Sequence, residues 1–470
     1  MTEDGLYDDD AEYQAAADEV YAELLARIGE AAPQPRLEPT RKACELLGDP
    51  QRSAPVVHIT GTNGKTSTSR MIESLLRASG LRTGLLTSPH LVRVNERIVI
   101  DGEPVSNEAL VRNWRDIAPY LAIVDAELVA EGEEALSYFE ALTVLGFAIF
   151  ADAPVDVMVL EVGMGGEWDS TNVADGQVAV FAPIALDHQA RLGDTIAEIA
   201  RTKAGIIKPA ASVVSAIQPI EALDELRSAA EHDEASLSVE MVDFALESTT
   251  VAVGGQVISV RGRAGEYRDV FLPLYGDYQG QNAALAIAAV ESFLGDGSRA
   301  LDPDIVAEGL GRATSPGRLQ LIGTEPTVFV DAAHNPHGAK ALASAMTEYF
   351  DFAEIAVVLA VLADKDAHGI VAELAPIADE FFVTRSQSER AIPVDDLAHV
   401  VAGIAPQGTV SRFEDFEHAV LAAREWAQAG PRRAVLITGS ITLIAEAVAL
   451  ADAGEWKAAA APADGEGGEA

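Results

Sequence analysis

Residues 58–69 read HITGTNGKTSTS, placing two glycines, a lysine and several hydroxyls within one short stretch. An apolar run (56–59) enters this stretch, and Lys65, Thr66 and Ser67 open a helical pattern behind it. The order strand, glycine turn, helix suits a polyphosphate. Gly61 and Gly64, on either side of Thr62 and Asn63, let the backbone turn tightly and aim several N–H groups at one point. A helix N-terminus adds partial positive charge. Lys65 is placed to reach terminal phosphates, and Thr66 or Ser67 offers a hydroxyl to Mg²⁺. The usual phosphate loop holds four residues between its glycines, whereas only Thr62 and Asn63 intervene here. The plain structural alternative is a Gly-Lys turn ahead of a helix.

Three further positions carry chemistry. Residues 156–162, DVMVLEV, form a buried-strand pattern running into Gly163-Met164-Gly165-Gly166. Glu161 then falls at the C-terminal end of the strand, where open α/β sheets bind ligands, and its carboxylate suits Mg²⁺. The alternative is an edge-of-sheet acid. A second strand, 177–185, leads into Asp187-His188, which puts an imidazole where a metal ligand belongs. A lone histidine is otherwise an ordinary core or surface residue. Lys203 closes a helix at 195–204, and on spacing alone it reads as a cation complementing the helix C-terminus.

Positioning these residues takes an alternating α/β chain. The pattern predicts a helix from 13 to 28, strand 56–60, helix 65–79, strand 82–86 and a helical region 107–152 broken at 131–134. It continues with strands 156–162, 177–185 and 212–217, a hairpin around Gly254-Gly255, and helix 281–294. Beyond a linker, strands near 327–331, 355–362, 380–384, 408–412 and 434–438 alternate with helices as a second doubly wound parallel sheet. The expected fold is therefore α/β: an N-terminal phosphate-loop ATPase domain plus a C-terminal Rossmann-like domain. The expected boundaries are an acidic disordered tail 1–12, a central domain 13–312, a linker 313–324, a C-terminal domain 325–453 and a disordered tail 454–470.

Composition narrows the partners. The chain has 470 residues and a net charge of −41, which opposes nucleic acid and anionic membrane. A nucleotide site in that field needs local cations. No apolar run approaches the roughly 18 residues of a membrane span. The acidic start lacks a signal peptide's basic and apolar regions, and Cys44 is the single cysteine. A reducing cytoplasm is expected.

Together, GTNGKTS (61–67), TSPHLVRVNERI (87–98), EVGMGGEWDSTN (161–172), ALDHQARLGDT (185–195), KAGIIKP (203–209), PGRLQ (316–320), DAAHNPHG (331–338) and LADKD (362–366) resemble the folylpolyglutamate synthase/dihydrofolate synthase family of the Mur ligase superfamily. The resemblance runs from about 13 to 450 and keeps the family's motif order. It implies an ATP-dependent ligase adding L-glutamate to dihydropteroate or to reduced folates through an acyl phosphate. It also implies that Lys65 and its loop hold ATP, with Thr66, Ser88, Glu161 and His188 on Mg²⁺. Lys203 matches the superfamily's carbamylated lysine, which reverses the capping reading. Lys65, His188 and Lys203 are thereby the implied catalytic set. Asn282 resembles an adenine contact, while Arg318, Asp331 and His334 would meet the nucleotide, placing ATP between the domains. Residues 87–98 resemble a loop shaping the pterin site, though alone they read as a surface loop. Thr438–Ile441 resembles the family's C-terminal Gly-Ser turn.

Two positions depart from the family. Glu167-Trp168 stands where Arg-Leu is common, which weighs against a direct substrate or phosphate role at 167, and Thr202 precedes Lys203 where Glu is common. A bifunctional enzyme, monomeric and cytoplasmic, is the expected reading; a folylpolyglutamate synthase alone is the alternative. A cell-wall Mur ligase needs a separate nucleotide-sugar domain before the phosphate loop, and only 60 residues precede Gly61. A nucleotide-hydrolysing switch would need neither Lys203 nor Asp331 with His334.

Overall fold

The computed structural model describes residues 4–29, 34–405, 409–454 and 456. The chain divides into two units, Met1–Ser315 and Pro316–Ala470.

The first unit is built on an eight-stranded sheet. From one edge its strands run Glu103–Pro104, Ile98–Ile100, Thr83–Leu86, Val157–Glu161, Val56–Thr60, Gly176–Phe181, Ser212–Ser215 and Ser236–Val239. The last six are mutually parallel, and the first two add an antiparallel edge. Every residue of Val56–Thr60 and of Val157–Glu161 is buried, as a central parallel strand requires. Helix Lys65–Ala78 covers one face with Met71, Ile72, Leu75 and Leu76. Against it lies helix Asp277–Gly295, whose residues 283–290 are all fully buried. A helix apolar all round belongs inside a core. Helices Asn107–Glu131 and Tyr138–Asp152 carry a second core cluster, which includes Leu142, Leu145 and Phe150.

The break between those two helices falls where the acidic patch predicts it, but its cause is local. Gly132 ends the first helix at φ 82°, and a capping box of Ser137 and Glu140 starts the second. The hairpin around Gly254-Gly255 joins Ala245–Ala252 to Gly255–Arg261, and Glu266–Leu272 adds a third antiparallel strand.

The second unit holds a six-stranded sheet in the order Gln320–Thr324, Thr327–Asp331, Arg433–Thr438, Glu354–Leu359, Glu380–Val383, Thr409–Arg412. All its pairs are parallel except the first, which is antiparallel. Its helices include Pro336–Tyr349, Phe416–Gln428 and Ile441–Ala453.

Three expected boundaries shift. Helix Asp4–Leu25 begins inside the segment 1–12 read as disordered. Residues 320–324 of the expected linker form an edge strand, with Ile322 buried and Leu321 facing outward in the alternation of a hairpin. Within the expected tail 454–470, Trp456 is buried and the Arg424 guanidinium lies 3.9 Å over its ring. The rest of that tail after Gly454 lies outside the described residues. Among the described residues no helix is long and apolar enough to cross a membrane.

Candidate active site

Parallel pairing puts Leu86, Thr60, Glu161 and Phe181 along one edge of the first sheet, with Ile59 opposite Glu161 in register. The loops that follow these strands meet there, at the carboxyl edge where such sheets bind ligands.

The loop 61–64 is fixed from both sides. Gly64 caps helix Lys65–Ala78 at φ 84°, and a Cβ there would fall 2.7 Å from the Asn282 Oδ1. Gly61 has φ 152°, and its Cβ would fall 2.7 Å from that of Ala182. Thr62 N and Asn63 N donate to the Pro183 carbonyl at 2.9 and 3.3 Å. The Thr62 hydroxyl donates to the Ala185 carbonyl and accepts from its N–H, each at 3.0 Å. The Thr60 hydroxyl donates to the Gly165 carbonyl at 2.7 Å, joining this loop to loop 163–166.

Two lysines converge on it. Lys65 Nζ donates to the carbonyls of Gly61 and Thr62, both at 3.2 Å. Lys203 Nζ donates to the same Gly61 carbonyl at 2.7 Å. Lys203 therefore does not cap its own helix, Ile196–Ala204, but crosses to the phosphate loop. It is 4% exposed. Burial pushes its ammonium well below the ordinary lysine range, Lys65 pushes further, and Asp187 and Asp169 pull back.

Glu161, 1% exposed, organises the acidic side. Its Oε1 accepts from the Thr66 hydroxyl at 2.8 Å and its Oε2 from Ser88 N at 3.3 Å. Three of the four metal ligands expected from the sequence are thus directly bonded neighbours. The fourth, His188, starts the short helix Gln189–Leu192 at φ 51°, its backbone N–H donating to Asp187 Oδ1 at 2.8 Å. Among the described residues no three His, Cys, Asp or Glu side chains converge as a metal cluster. A carboxylate with hydroxyls is nonetheless the oxygen set a hard cation such as Mg²⁺ takes, usually keeping several waters and substrate phosphates.

The two candidate hydroxyls separate. Thr66 faces Glu161, whereas the Ser67 hydroxyl is buried, 2.8 Å from that of Ser315, and accepts from Gln279 Nε2 at 3.4 Å. Asn282 Nδ2 donates to Gln279 Oε1 at 3.1 Å, so Asn282 lies behind the loop.

Loop 88–97 is no loose surface segment. Glu96 gathers the N–H groups of Leu91, Val92 and Arg93 at 2.7, 2.8 and 2.7 Å. Arg97 is buried, donates its Nε to His90 Nδ1 at 2.8 Å, and lies 5.2 Å over the Tyr138 ring. Glu167, where the family's arginine is absent, is exposed.

In the second unit, buried Asp331 spends both oxygens on backbone. Oδ2 accepts from Leu319 N at 2.7 Å and Oδ1 from Ala333 N at 2.8 Å. Burial raises its carboxyl, while neighbouring Arg318 lowers it. His334 Nδ1 lies 2.9 Å from the Ala332 carbonyl, so that nitrogen carries the proton.

Sequence reading missed Asp169 as an organiser. Its carboxylate accepts from Met164 N, Thr171 N and the Thr171 hydroxyl at 2.9, 3.0 and 2.5 Å, holding loop 163–166. Its place in a glycine-rich stretch was the available signal.

Residues 59–290 match the Mur ligase middle domain, and residues 317–441 match the Mur ligase glutamate ligase domain. The dihydrofolate synthase/folylpolyglutamate synthase of Mycobacterium tuberculosis is 48% identical over 380 residues, covering 78% of each chain. The M. tuberculosis folylpolyglutamate synthase structure with ADP and AMPPCP superposes with a TM-score of 0.89 at 43% identity, covering 93% of this chain and 99% of that one. The E. coli FolC structure with DHPP and ADP superposes with a TM-score of 0.79 at 29% identity, covering 93% and 98%.

Proposed function

This chain belongs to the dihydrofolate synthase/folylpolyglutamate synthase family of Mur ligases, and we propose that it is an ATP-dependent ligase adding L-glutamate to dihydropteroate and to reduced folates. The observation that carries this reading is Glu161 bonded to both Thr66 and Ser88 at the mouth of a lysine-lined phosphate loop.

A carboxylate is a poor acyl donor because oxide is a poor leaving group. The substrate carboxylate attacks the γ-phosphorus of ATP, ADP leaves, and an acyl phosphate results. The free amine of L-glutamate then attacks the acyl carbon, inorganic phosphate departs, and an amide forms with loss of the amine proton. The protein's work is alignment and charge neutralisation. Lys65 and the N–H groups that open helix Lys65–Ala78 suit the phosphates. Thr66, Ser88, Glu161 and His188 would hold Mg²⁺, which neutralises phosphate charge when bound. By resemblance, Asn282 and, in the second unit, Arg318, Asp331 and His334 are the nucleotide contacts.

Lys203 fits carbamylation. Burial favours its neutral amine, the form that can attack CO₂ to give a carbamate and a proton. The product is an anion, so the unfavourable Lys65 neighbour becomes a favourable one. A cytoplasmic monomer is the state this reading implies, and sedimentation at working concentration tests it.

The deciding experiment is phosphate release with Mg-ATP and L-glutamate, adding 7,8-dihydropteroate, tetrahydrofolate or neither. Release with either pterin but not without one is expected. Release with tetrahydrofolate alone reduces the chain to folylpolyglutamate synthase. Equal release in all three arms overturns ligation in favour of a nucleotide switch.

A further inference from the structure

We propose that Gln218 is a positioning residue for the reaction: its side-chain amide fixes the segment 182–185, against which the phosphate loop is laid. This rests on the ligase reading above, which gives that loop to ATP.

The placement begins where strand Gly176–Phe181 leaves the sheet. Strand Ser212–Ser215 pairs with it as far as Phe181 opposite Ser215, and Ala216 N then donates to the Phe181 carbonyl at 2.9 Å. The ladder stops there, because Pro183 has no N–H to continue it. The Ala216 carbonyl is taken instead by the Ser215 hydroxyl at 2.9 Å. Segment 182–185 thus passes beyond its strand neighbour, yet the phosphate loop leans on it. The Pro183 carbonyl accepts from Thr62 N and Asn63 N at 2.9 and 3.3 Å. Ala185 exchanges two bonds with the Thr62 hydroxyl, each at 3.0 Å. These contacts hold one side of the segment.

Gln218 holds the other side. Its Oε1 accepts from Ile184 N at 2.9 Å, and its Nε2 donates to the Ala182 carbonyl at 3.1 Å. Nε2 also reaches the Ser215 hydroxyl at 3.3 Å and the Phe181 carbonyl at 3.5 Å. The Ile184 N–H fixes which end of the amide is oxygen. One residue of a parallel neighbour bonds a C=O and an N–H two residues apart in the same way. The Gln218 amide therefore carries the sheet past Pro183 with a side chain in place of a strand. Gln218 is itself anchored. Next to it, Ile217 N donates to the Oε2 of buried Glu240 at 3.0 Å, and Glu240 N to the Ser215 carbonyl at 2.9 Å. On its other flank Pro219 opens helix Ile220–His232. Gln218 acts on the phosphate loop through Pro183 and Ala185, and the same segment runs on into Asp187 and His188.

The test compares wild type with Q218M, T62V and Q218M/T62V, measuring the Kd of Mg-ADP by calorimetry, the dihydropteroate KM and the thermal midpoint. Q218M keeps the length of the side chain and removes its bonds to Ala182 and Ile184; T62V removes the hydroxyl that meets Ala185 on the opposite side. Residues in one hydrogen-bond network couple by about tenfold. Q218M is expected to raise the Mg-ADP Kd by about that factor, with dihydropteroate KM within about twofold, and the double variant to bind no more weakly than the poorer single. A merely structural role would lower the thermal midpoint and leave the Kd, measured well below it, unchanged. That result overturns the proposal, as does multiplication of the Q218M and T62V effects. If Q218M does not fold, Q218E takes its place in the same cycle, since it keeps the acceptor for Ile184 N and loses the donor to Ala182; the same two outcomes decide. A wild type that binds Mg-ADP without pterin-dependent phosphate release fails the ligase reading alone, and the cycle still decides the role of Gln218.

Discussion

Replacing Glu161 by glutamine separates the site's chemistry from its architecture. The carboxylate accepts from the Thr66 hydroxyl at 2.8 Å and from Ser88 N at 3.3 Å. Glutamine keeps the shape, and its carbonyl can retain the Thr66 bond. Its amide nitrogen then faces the Ser88 N–H, donor against donor. One hydrogen bond to a charged acceptor is lost, about 1.5–3 kcal/mol. Against this, a side chain 1% exposed no longer buries a charge, which relieves several kcal/mol. The two nearly cancel, so the thermal midpoint should move by only a few degrees. Activity has no such compensation. Two unit charges about 4 Å apart interact by about 4 kcal/mol at an effective dielectric near 20, and a divalent ion doubles that. If water and other ligands recover four-fifths of it, about 1.6 kcal/mol remains, which is more than tenfold in half-saturating Mg²⁺. The assay is pterin-dependent phosphate release at fixed ATP with MgCl₂ titrated. A folded Glu161→Gln protein whose Mg²⁺ curve overlays wild type would show that this carboxylate holds no metal.

Two other substitutions probe the loop. Lys203→Met should reduce turnover at least about a hundredfold if the carbamate completes the site, the scale of a lost electrostatic stabiliser; turnover near wild type, with no response to added bicarbonate in either protein, speaks against the modification. The same variant has a stability signature in CO₂-free buffer. The depressed pKa of Lys203 means the folded state binds fewer protons than the unfolded, so its contribution is fully present above 10.5 and is lost as pH falls through the folded value. Wild-type stability should therefore rise with pH across that window more steeply than that of Lys203→Met, as read from urea midpoints. Gly64→Ala forces a Cβ to 2.7 Å from Asn282 Oδ1 at φ 84°; a loss of about 1–3 kcal/mol and an ATP KM raised about tenfold are expected, and a fully active, equally stable variant would mean that the loop is not held by that contact.

The sequence carried the central strands because they are long apolar runs between glycine turns. Val56–Thr60 and Val157–Glu161 need no tertiary information to be read, and Glu161 follows from where its strand ends. The edge strands Glu103–Pro104, Ser236–Val239 and Gln320–Thr324 are short and half exposed, so their pattern is weak until a neighbour supplies the pairing. Site residues divide the same way. Thr66 and Ser67 are indistinguishable along the chain, and only packing against Gln279 and Ser315 turns one inward. Lys203 lies 142 positions from its Gly61 partner, a pairing that helix logic misassigns and that strand order creates.

The charge of the chain also bears on the site's design. With 74 acidic and 33 basic residues, a triphosphate approaching the surface meets a repulsive field. Lys65 and Lys203 are both spent on the Gly61 carbonyl, which draws two lysine side chains to one backbone oxygen. Such closeness is tolerable because Lys203, buried and shifted far below its ordinary pKa, need not be charged. With Lys203 neutral, Lys65 is the lysine left to meet a phosphate at the loop. Carbamylation, as proposed above, would convert the same position to an anion beside Lys65. Burial of this one lysine thereby favours the neutral amine that the proposed carbamylation needs. That is a stronger reason for its burial than helix capping, which an exposed lysine performs equally well.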